Sequence, residues 1–305
     1  MSKRNSILGP FILLIAAFVW GTSFVAQRMA TSYMDSLAYN ATRVAIGSVL
    51  LFFIIIIKDT ISKKTNKKII PFNKSTIFGG IILGVCIFFA TTTQQIGLET
   101  TSAGKSGFIT ALYVAFVPII GLLARKKTPI IGWIAIPIAL LGFALMSITD
   151  DFTVAIGDAI TLMCAILFSL HILFLDIYGE HADPIKITFV QFFVAAIIGL
   201  IWMGAEGTTP TPTQFVDCIG PLLYVGLLSC GVAYTCQAIG QKMVPPALST
   251  LIMSLESVVA LVSGSILLNE SVTPKEAIGS VIVFIAVILA EQTPYKVFLD
   301  NDIKR

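Results

Sequence analysis

The chain has 305 residues, of which 56% are hydrophobic and 12% are charged, and its formal net charge at pH 7 is +3. A water-soluble protein of this length does not need so much apolar surface, whereas each membrane-spanning helix takes about 20 mostly apolar residues. Composition therefore excludes the two soluble domains that length alone would suggest and predicts a polytopic membrane protein.

Ten apolar runs, which we number spans 1 to 10, follow one another along the chain and are mostly joined by short connections. Each run is about as long as a membrane helix, so the predicted fold class is an all-α integral membrane protein with ten transmembrane helices. The first run is longer than the apolar part of a signal peptide and lacks a small-residue cleavage site, so we expect it to be retained. The predicted spans are residues 7–27, 37–57, 75–97, 104–124, 129–148, 155–178, 185–204, 217–241, 246–268 and 274–291.

The positions of Lys and Arg predict the orientation in the membrane. If the N-terminus is cytoplasmic, the cytoplasmic segments hold 16 of the 20 Lys and Arg residues and the outer segments hold three, with Arg43 inside span 2. Because Lys and Arg concentrate on the cytoplasmic side of membrane proteins, we predict that both termini and the Lys-rich loop 58–74 are cytoplasmic. We expect the protein in the plasma membrane.

Spans 3–4 and spans 8–9 share a sequence pattern. When the window 233–255 is aligned with 90–112, which we call the first alignment, eight positions are identical where about two are expected by chance, and such a match indicates an internal repeat. One position further on, Glu256 of the later copy stands where the earlier copy has Tyr113. A second alignment, in a slightly different register, pairs Arg43 of span 2 with Gln191 of span 7 and Trp20 of span 1 with Phe168 of span 6.

Five spans in each copy give two repeats, 7–148 with spans 1–5 and 155–291 with spans 6–10. Because five is an odd number, the second repeat begins at the opposite membrane face, and the repeats are inverted. Inverted repeats are typical of secondary transporters, whose sites lie near the membrane midplane between the halves.

This pattern resembles the drug/metabolite transporter superfamily in its EamA form, over residues 7–291. The residues that carry the resemblance are Trp20-Gly21-Thr22-Ser23-Phe24, Arg43, Gly107 to Tyr113 with Pro118, Gly157-Asp158, Gly231-Val232-Ala233-Tyr234, Leu255-Glu256-Ser257-Val258 and Asn269-Glu270. The resemblance implies a central cavity lined by spans 1–4 and 6–9, with spans 5 and 10 at the periphery, where a homodimer could form. Two residues depart from the family pattern: Ser257 stands where Pro is frequent, which predicts the loss of a helix bend, and Lys105 stands where a small residue is common.

Two ionisable side chains within spans are the main candidates for chemistry, since such groups are costly in a membrane and usually face a cavity or the bundle interior. Glu256 lies near the middle of span 9 and is the one acid deep within a span. It is either a structural acid that bonds a neighbouring helix or a cation or proton site. Burial disfavours the charged form of a carboxyl, so proton exchange near neutral pH is feasible. Arg43 either reaches outward as an anchor or pairs with an acid or a substrate anion.

A layered set of further polar side chains accompanies these two. They either bind a polar organic solute or join helices by hydrogen bonds, which average about 0.6 kcal/mol each. For His171 we also keep open a buried structural role. We expect Lys105 to be an interfacial anchor and Asn269-Glu270 a solvated helix end. The candidate substrate-binding residues are Trp20, Asn40, Arg43, Gln94, Tyr113, His171, Gln191, Tyr234, Gln237 and Glu256.

Motifs for other functions are missing from the sequence. It has no P-loop, no H-E-x-x-H and no G-x-S-x-G, and two histidines cannot build a histidine-rich metal site. The five cysteines form no C-x-x-C pair and are expected to be buried thiols. We therefore expect no catalytic residues, cofactor, metal or nucleic-acid partner. The partners we expect are membrane lipid and a small organic metabolite or drug-like solute, moved by a secondary carrier through alternating access, with coupling to protons or ions or by exchange. An intramembrane lipid-modifying enzyme or a channel is the alternative.

Overall fold

The structure is a computed structural model that describes residues 3–66, 68–123, 130–147 and 156–291. These residues form helices joined by short turns, and the described ranges contain no β-strand. The elements are α1 (Lys3–Ala30), α2 (Ser36–Lys64), α3 (Lys74–Gly97), α4 (Ala103–Thr110), α5 (Tyr113–Leu123), α6 (Ile130–Ser147), α7 (Ile156–Gly179), α8 (Pro184–Glu206), α9 (Pro212–Asp217), α10 (Ile219–Leu223), a π-helix (Tyr224–Ala233), α11 (Tyr234–Gly240), α12 (Pro246–Met253), α13 (Leu255–Leu268) and α14 (Pro274–Glu291). Part of the basic set behind the predicted orientation lies outside the described residues, namely Lys67, Arg125, Lys126, Lys127, Lys296, Lys304 and Arg305.

Within the described ranges, eight helical stretches are long and apolar enough to cross a membrane, and they coincide with predicted spans 1–4 and 6–9. Spans 5 and 10 correspond to α6 and α14, whose apolar cores, Trp133–Gly142 and Ala277–Ala286, are shorter. Large apolar side chains such as Phe53, Ile201 and Ile266 are exposed on the outside of the helices, as a lipid-facing surface requires. The predicted all-helical membrane protein is therefore confirmed.

The loop predicted at 58–74 is shorter than expected. Helix α2 continues to Lys64, and its last turn contains Lys63 and Lys64. Cations near the C-terminus of a helix interact favourably with its dipole, which explains why the helix persists beyond the apolar run.

Spans 2 and 7 begin with the same cap. Asp35 accepts hydrogen bonds from the backbone N–H groups of Leu37 and Ala38, and Asp183 accepts them from Ile185 and Lys186. An aspartate at this position satisfies backbone donors that would otherwise lack a partner. The two aspartates correspond in the second alignment, the register that pairs Arg43 with Gln191.

Spans 4 and 9 are both interrupted near their middle. Span 4 consists of α4 and α5, separated by a turn at Ala111 and Leu112, and span 9 consists of α12 and α13, separated by a turn at Ser254. Helices α4 and α12 have the same length, and both their first residues and their last residues correspond in the first alignment.

The expectation that Ser257 would abolish the bend in span 9 was wrong. The Ser254 hydroxyl donates to the Leu251 carbonyl at 2.7 Å, and the Ser257 hydroxyl donates to the Ser254 carbonyl at 2.7 Å. Such side-chain bonds compete with the helix ladder and bend helices. Two serines thus accompany an interruption that a proline was expected to provide.

The two halves of the chain pack together through helices from each. Helix α1 packs on α12 and α13, α7 packs on α3, α4 and α5, α2 packs on α8, and α6 packs on α14. A side chain at Gly21 would lie 2.6 Å from the Glu256 carbonyl oxygen and would overlap Val259. This glycine therefore lets α1 approach the centre of span 9, where Glu256 is located.

Candidate functional site

A cavity lies at the centre of the bundle, with a volume of about 30 Å³. Its walls come from spans 1–4, 6, 8 and 9. No described residue of span 7 lines the cavity, so the expectation that spans 1–4 and 6–9 would all contribute is corrected. A space of this size holds a few water molecules, so the walls must separate to admit an organic solute. The lining residues are Trp20, Phe24, Gln27, Arg43, Thr91, Gln94, Thr110, Tyr113, Phe168, Ile172, Ser229, Cys230, Tyr234, Gln237, Met253 and Glu256.

Most of these lining residues are related by the two sequence alignments. The first alignment pairs Thr91 with Tyr234, Gln94 with Gln237, Thr110 with Met253 and Tyr113 with Glu256; the second pairs Trp20 with Phe168 and Phe24 with Ile172. The four lining residues without such a lining counterpart are Gln27, Arg43, Ser229 and Cys230. The cavity is therefore built largely from equivalent positions of the two halves.

Seven of the ten predicted site residues line the cavity, and three do not. Asn40 lies behind Arg43 and is fully buried. His171 and Gln191 are bonded to each other, with the His171 Nε2 and Gln191 Oε1 atoms 2.9 Å apart. That bond favours the structural interpretation of His171 over a ligand role.

Arg43 points into the protein and not toward the membrane surface, because only 2% of it is exposed. Its guanidinium donates from Nε to Asn40 Oδ1 at 2.8 Å, from one terminal nitrogen to Gln27 Oε1 at 2.6 Å and from the other to the Thr91 carbonyl at 3.3 Å. It also lies 5.5 Å from the Tyr39 ring centre. The outward anchor interpretation is thus excluded, and the guanidinium is held in place by neutral acceptors.

Glu256 is the second residue of α13, directly after the interruption of span 9. It is 3% exposed, and its Oε1 atom has no hydrogen-bond partner among the described residues. The Tyr113 hydroxyl, which lines the same cavity, is likewise buried without a hydrogen-bond partner in this part of the chain. The first turn of a helix favours a negative charge, so the local backbone suits a carboxylate.

An aromatic pair forms another part of the wall. The rings of Trp20 and Tyr234 are 4.8 Å apart, and Phe192 packs edge-on against Tyr234 at 5.1 Å. Trp20 Nε1 and Gln237 Oε1 are buried without a hydrogen-bond partner in the described structure. Buried polar atoms normally have partners, so a donor and an acceptor are available on residues that line the cavity.

Sequence reasoning missed several lining residues that helical spacing could have identified. Phe24 and Gln27 follow Trp20 by four and seven positions, which places all three on one face of α1. Ser229 and Cys230 had no such signal, because they lie in the π-helix, whose i→i+5 bonds change the spacing of side chains.

Two ion pairs join spans 2 and 7 at the end of the bundle predicted to face the cytoplasm. Lys58 Nζ lies 2.6 Å from Asp183 Oδ2, and Lys186 Nζ lies 2.7 Å from Asp59 Oδ2. Each helix thus supplies one acid and one base. In addition, Lys186 Nζ donates to the Ile70 carbonyl at 2.8 Å. These contacts join the two halves of the chain.

At the opposite end, span 4 is fixed by two acids. Lys105 Nζ pairs with Asp158 Oδ2 at 2.6 Å, so Lys105 is an ion-pair partner and not an interfacial anchor. The Glu270 carboxylate accepts from the backbone N–H groups of Ala103 and Gly104 at 2.9 and 3.3 Å. Glu270 is therefore not a solvated helix end, since it caps the first turn of α4.

The described ranges contain no group of three His, Cys, Asp or Glu side chains that could hold a metal ion. What this cavity offers a ligand is one cationic side chain, one carboxyl group, amides and aromatic rings.

The sequence matches the family described as the EamA-like transporter family over residues 7–148 and 155–291. The chain belongs to the EamA-like transporter family. It is a multi-pass membrane transporter, and the superfamily resemblance noted from the sequence is confirmed.

Relatives of this EamA-like transporter carry transporter names. A protein of Archaeoglobus fulgidus named as an uncharacterized transporter is 30% identical over 285 residues, which are 91% of this chain and 83% of its own. A Bacillus subtilis protein, the uncharacterized transporter YwfM, is 24% identical over 96% of both chains. An S-adenosylmethionine/S-adenosylhomocysteine transporter of Chlamydia muridarum is 20% identical over 72% of both chains.

The fold also has a counterpart among solved structures. One crystal structure matches 95% of this chain and 97% of its own with a TM-score of 0.69 and 12% sequence identity. At this identity the match shows a shared fold.

Proposed function

We propose that this EamA-like protein is a secondary carrier that moves a small polar organic solute by alternating access through the central cavity. The observation that carries the proposal is a buried cavity, midway along helices of membrane-spanning length, with polar atoms that lack protein partners within the described residues. Polar groups at such depth are costly and mark transport pathways. Ion pairs and caps at the two ends of the bundle supply contacts that can break alternately.

Two inverted repeats of five spans, 7–148 and 155–291, are part of this proposal. Three observations support the repeat. They are the matched bounds of helices α4 and α12, the matched aspartate caps, and the six matched residue pairs in the cavity wall. In inverted-repeat carriers one bundle rocks against the other around a fixed site. Helices α6 and α14, the proposed spans 5 and 10, would stay outside the moving part.

Glu256 is the proposed coupling group. A carboxyl in a desolvated site must be neutralised or paired, and a proton or a cationic part of the solute fulfils either condition. The same group can then release its proton or cation when the cavity opens to the other side. Coupling to a proton, coupling to another ion and exchange of solutes are the forms of transport compatible with this role.

The solute class that relatives suggest is a cellular metabolite. Three chlamydial relatives at 20–21% identity are named S-adenosylmethionine/S-adenosylhomocysteine transporters. Both compounds belong in a first screen, together with amino acids, nucleosides and organic cations. Selectivity for one of them depends on the cavity residues of this chain.

We further propose that the protein resides in the plasma membrane with both termini in the cytoplasm. Lys63 and Lys64 at the end of α2 and Lys74 at the start of α3 place basic charge at the proposed cytoplasmic end. Membrane lipid is then the surrounding partner. We also propose a homodimer through the outer faces of α6 and α14, where exposed apolar side chains such as Ile134 and Val281 are available for packing.

A stabilisation screen followed by counterflow tests the carrier proposal. A bound solute raises the apparent melting temperature of the purified protein by mass action. A stabilising solute, radiolabelled outside liposomes that contain unlabelled solute, should accumulate transiently through the protein. Only a carrier exchanges labelled for unlabelled solute without net flux. Accumulation of label that disappears when the internal solute is removed supports the carrier proposal. Simple equilibration of the label indicates a channel. Chemical conversion of the solute would indicate an enzyme.

A further inference from the structure

The cavity contains one positive and one potentially negative group, and each stands where the other half of the chain has a neutral residue. Arg43 corresponds to Gln191, and Glu256 corresponds to Tyr113. Each half therefore contributes one basic or acidic side chain to a wall that is otherwise made largely of equivalent positions. Both residues line the cavity.

The Arg43 guanidinium has no carboxylate partner among the described residues. Its acceptors are the side-chain oxygens of Asn40 and Gln27 and the Thr91 carbonyl, all of them neutral. Arginine keeps its charge in proteins, and a buried charge without a counter-ion is costly. An anionic group of a solute would supply the missing charge at this position.

Glu256 likewise has no basic partner in the described part of the chain. The Arg43 side chain bonds Asn40, Gln27 and Thr91 instead, and the Glu256 Oε1 atom is without a hydrogen bond. A cationic group of a solute would satisfy both the charge and the free oxygen when the carboxyl is ionised.

The two groups face the cavity at different depths. The start of α2 and the end of α13 lie at the same end of the bundle, because Ser36 bonds Glu99 and Glu270 bonds Ala103. Arg43 is about two helical turns from the start of α2, whereas Glu256 is more than three turns from the end of α13. From the pitch of an α-helix, the two backbones differ in depth by roughly 8 Å.

We infer that the solute is zwitterionic, with an anionic group bound by Arg43 and a cationic group bound by Glu256. The inference rests on the proposed carrier function and adds the charge class of its solute. Gln27 and Asn40 orient the guanidinium, and the aromatic rings of Trp20 and Tyr234 contact the apolar part of the solute. A solute with a single charge leaves one protein charge without a partner, and a neutral solute leaves both, so each binds more weakly.

Charge-matched derivatives of three amino acids test this inference on the purified protein. For leucine, phenylalanine and methionine, the methyl ester keeps only the cation, the N-acetyl acid keeps only the anion, and the N-acetyl amide keeps neither. The readout is the concentration of each compound that produces a given rise in melting temperature. At least one zwitterion should act at concentrations about tenfold or more below its singly charged derivatives, because each lost contact is a hydrogen bond to a charged group.

Two variants separate ligand recognition from a structural role. Arg43→Gln should remove the preference for the zwitterion over its methyl ester, and Glu256→Gln should remove the preference for the zwitterion over its N-acetyl acid. Substitution of a residue that only stabilises the fold would weaken the zwitterion and its three derivatives alike. Arg28→Gln and Glu206→Gln, which alter charges outside the cavity, serve as matched controls and should keep the wild-type order.

The outcomes distinguish this inference from the carrier proposal. Neutral or singly charged derivatives could stabilise the protein and undergo counterflow at concentrations equal to or below those of the zwitterion. This result would contradict the zwitterionic charge of the solute and leave the carrier proposal standing. If no zwitterion of the panel stabilises the wild-type protein up to its solubility limit, the inference is wrong. A stabilising zwitterion without counterflow would contradict the carrier function but uphold the charge pairing.

Discussion

Tyr113 and Glu256 meet at the central cavity, where the Tyr113 hydroxyl and the Glu256 Oε1 atom are both buried without a hydrogen-bond partner among the described residues. They occupy equivalent positions of the two halves in the first alignment, each just after the interruption of its span. If the repeats are related by a two-fold axis, residues at equivalent positions that meet each other lie near that axis. One member of the pair is a neutral donor and the other is an acid, so the two halves differ chemically at the point where they join.

Removing the Tyr113 hydroxyl should weaken the site without unfolding the protein. Tyr113→Phe keeps the ring packed and removes one donor near the carboxyl, so we expect about a fivefold to tenfold loss in apparent solute affinity. The apparent affinity is measured from the melting temperature as a function of the concentration of the stabilising solute. Phe24→Leu, which removes an aromatic ring but no polar atom, provides a comparison. Unchanged affinity in Tyr113→Phe would show that the hydroxyl does not take part in binding.

Close packing at Gly21 should be required for the fold. Gly21→Ala places a methyl group against Val259 and the Glu256 carbonyl oxygen, and overpacking of this kind costs about 1–3 kcal/mol. Gly204→Ala is the matched control, because a side chain there meets nothing within 4 Å. Thermal melting in detergent should show a lower midpoint for Gly21→Ala only. Equal midpoints for the two variants would mean that α1 and span 9 do not approach this closely.

The two ion pairs between spans 2 and 7 should differ in strength. The Lys186 side chain is 3% exposed, whereas the Lys58 side chain is 39% exposed. An exposed pair contributes about 0–1 kcal/mol, and removing one partner of a buried pair costs about 3–5 kcal/mol. We therefore expect Lys186→Gln to lower the melting temperature more than Lys58→Gln, and high salt to reduce the difference between Lys58→Gln and wild type. The reverse order would contradict the observed burial.

Impermeant labelling can test the proposed orientation. Lys64 is at the exposed end of α2, within the segment whose basic charge predicts a cytoplasmic location. In a cysteine-free background, Lys64→Cys should resist a membrane-impermeant thiol reagent in intact cells and react after permeabilisation. A cysteine introduced at Thr209, which is exposed in the loop proposed to lie outside, should react in intact cells. If Lys64→Cys reacts in intact cells and the loop cysteine reacts only after permeabilisation, the orientation is the opposite of the one proposed.

The sequence predicted the large features of this fold because they depend on local composition. Apolar runs placed eight of the spans, and the first alignment identified the segment whose interruption recurs at Ala111 and Ser254. The prediction failed where tertiary contacts decide. Glu270 caps α4 from another span, and a pair of serine hydroxyls accompanies a bend expected to need proline.

The residues that line the cavity were predicted only in part, because local sequence identifies some of them and tertiary packing decides the others. Arg43 and Glu256 stood out because charges are rare within spans, and both line the cavity. Gln191 was predicted as one of the accompanying polar residues, but it bonds His171 and does not line the cavity. Cys230 was missed because the π-helix changes which side chains face inward, and a change of helix type depends on packing against α1 and α2.

Accumulation driven by a pH gradient, measured in liposomes with the wild-type protein and Glu256→Gln side by side, tests the central claim most directly. Glu256 is the one acid among the residues that line the cavity, and the other titratable side chains there are Arg43, Tyr113, Cys230 and Tyr234. Glutamine keeps the volume of the side chain and its ability to form hydrogen bonds but cannot ionise. With the solute found by the stabilisation screen, the account predicts that the variant inserts correctly and loses accumulation against its gradient but retains exchange. Wild-type transport by Glu256→Gln at every pH would contradict it and leave Glu256 as a structural acid.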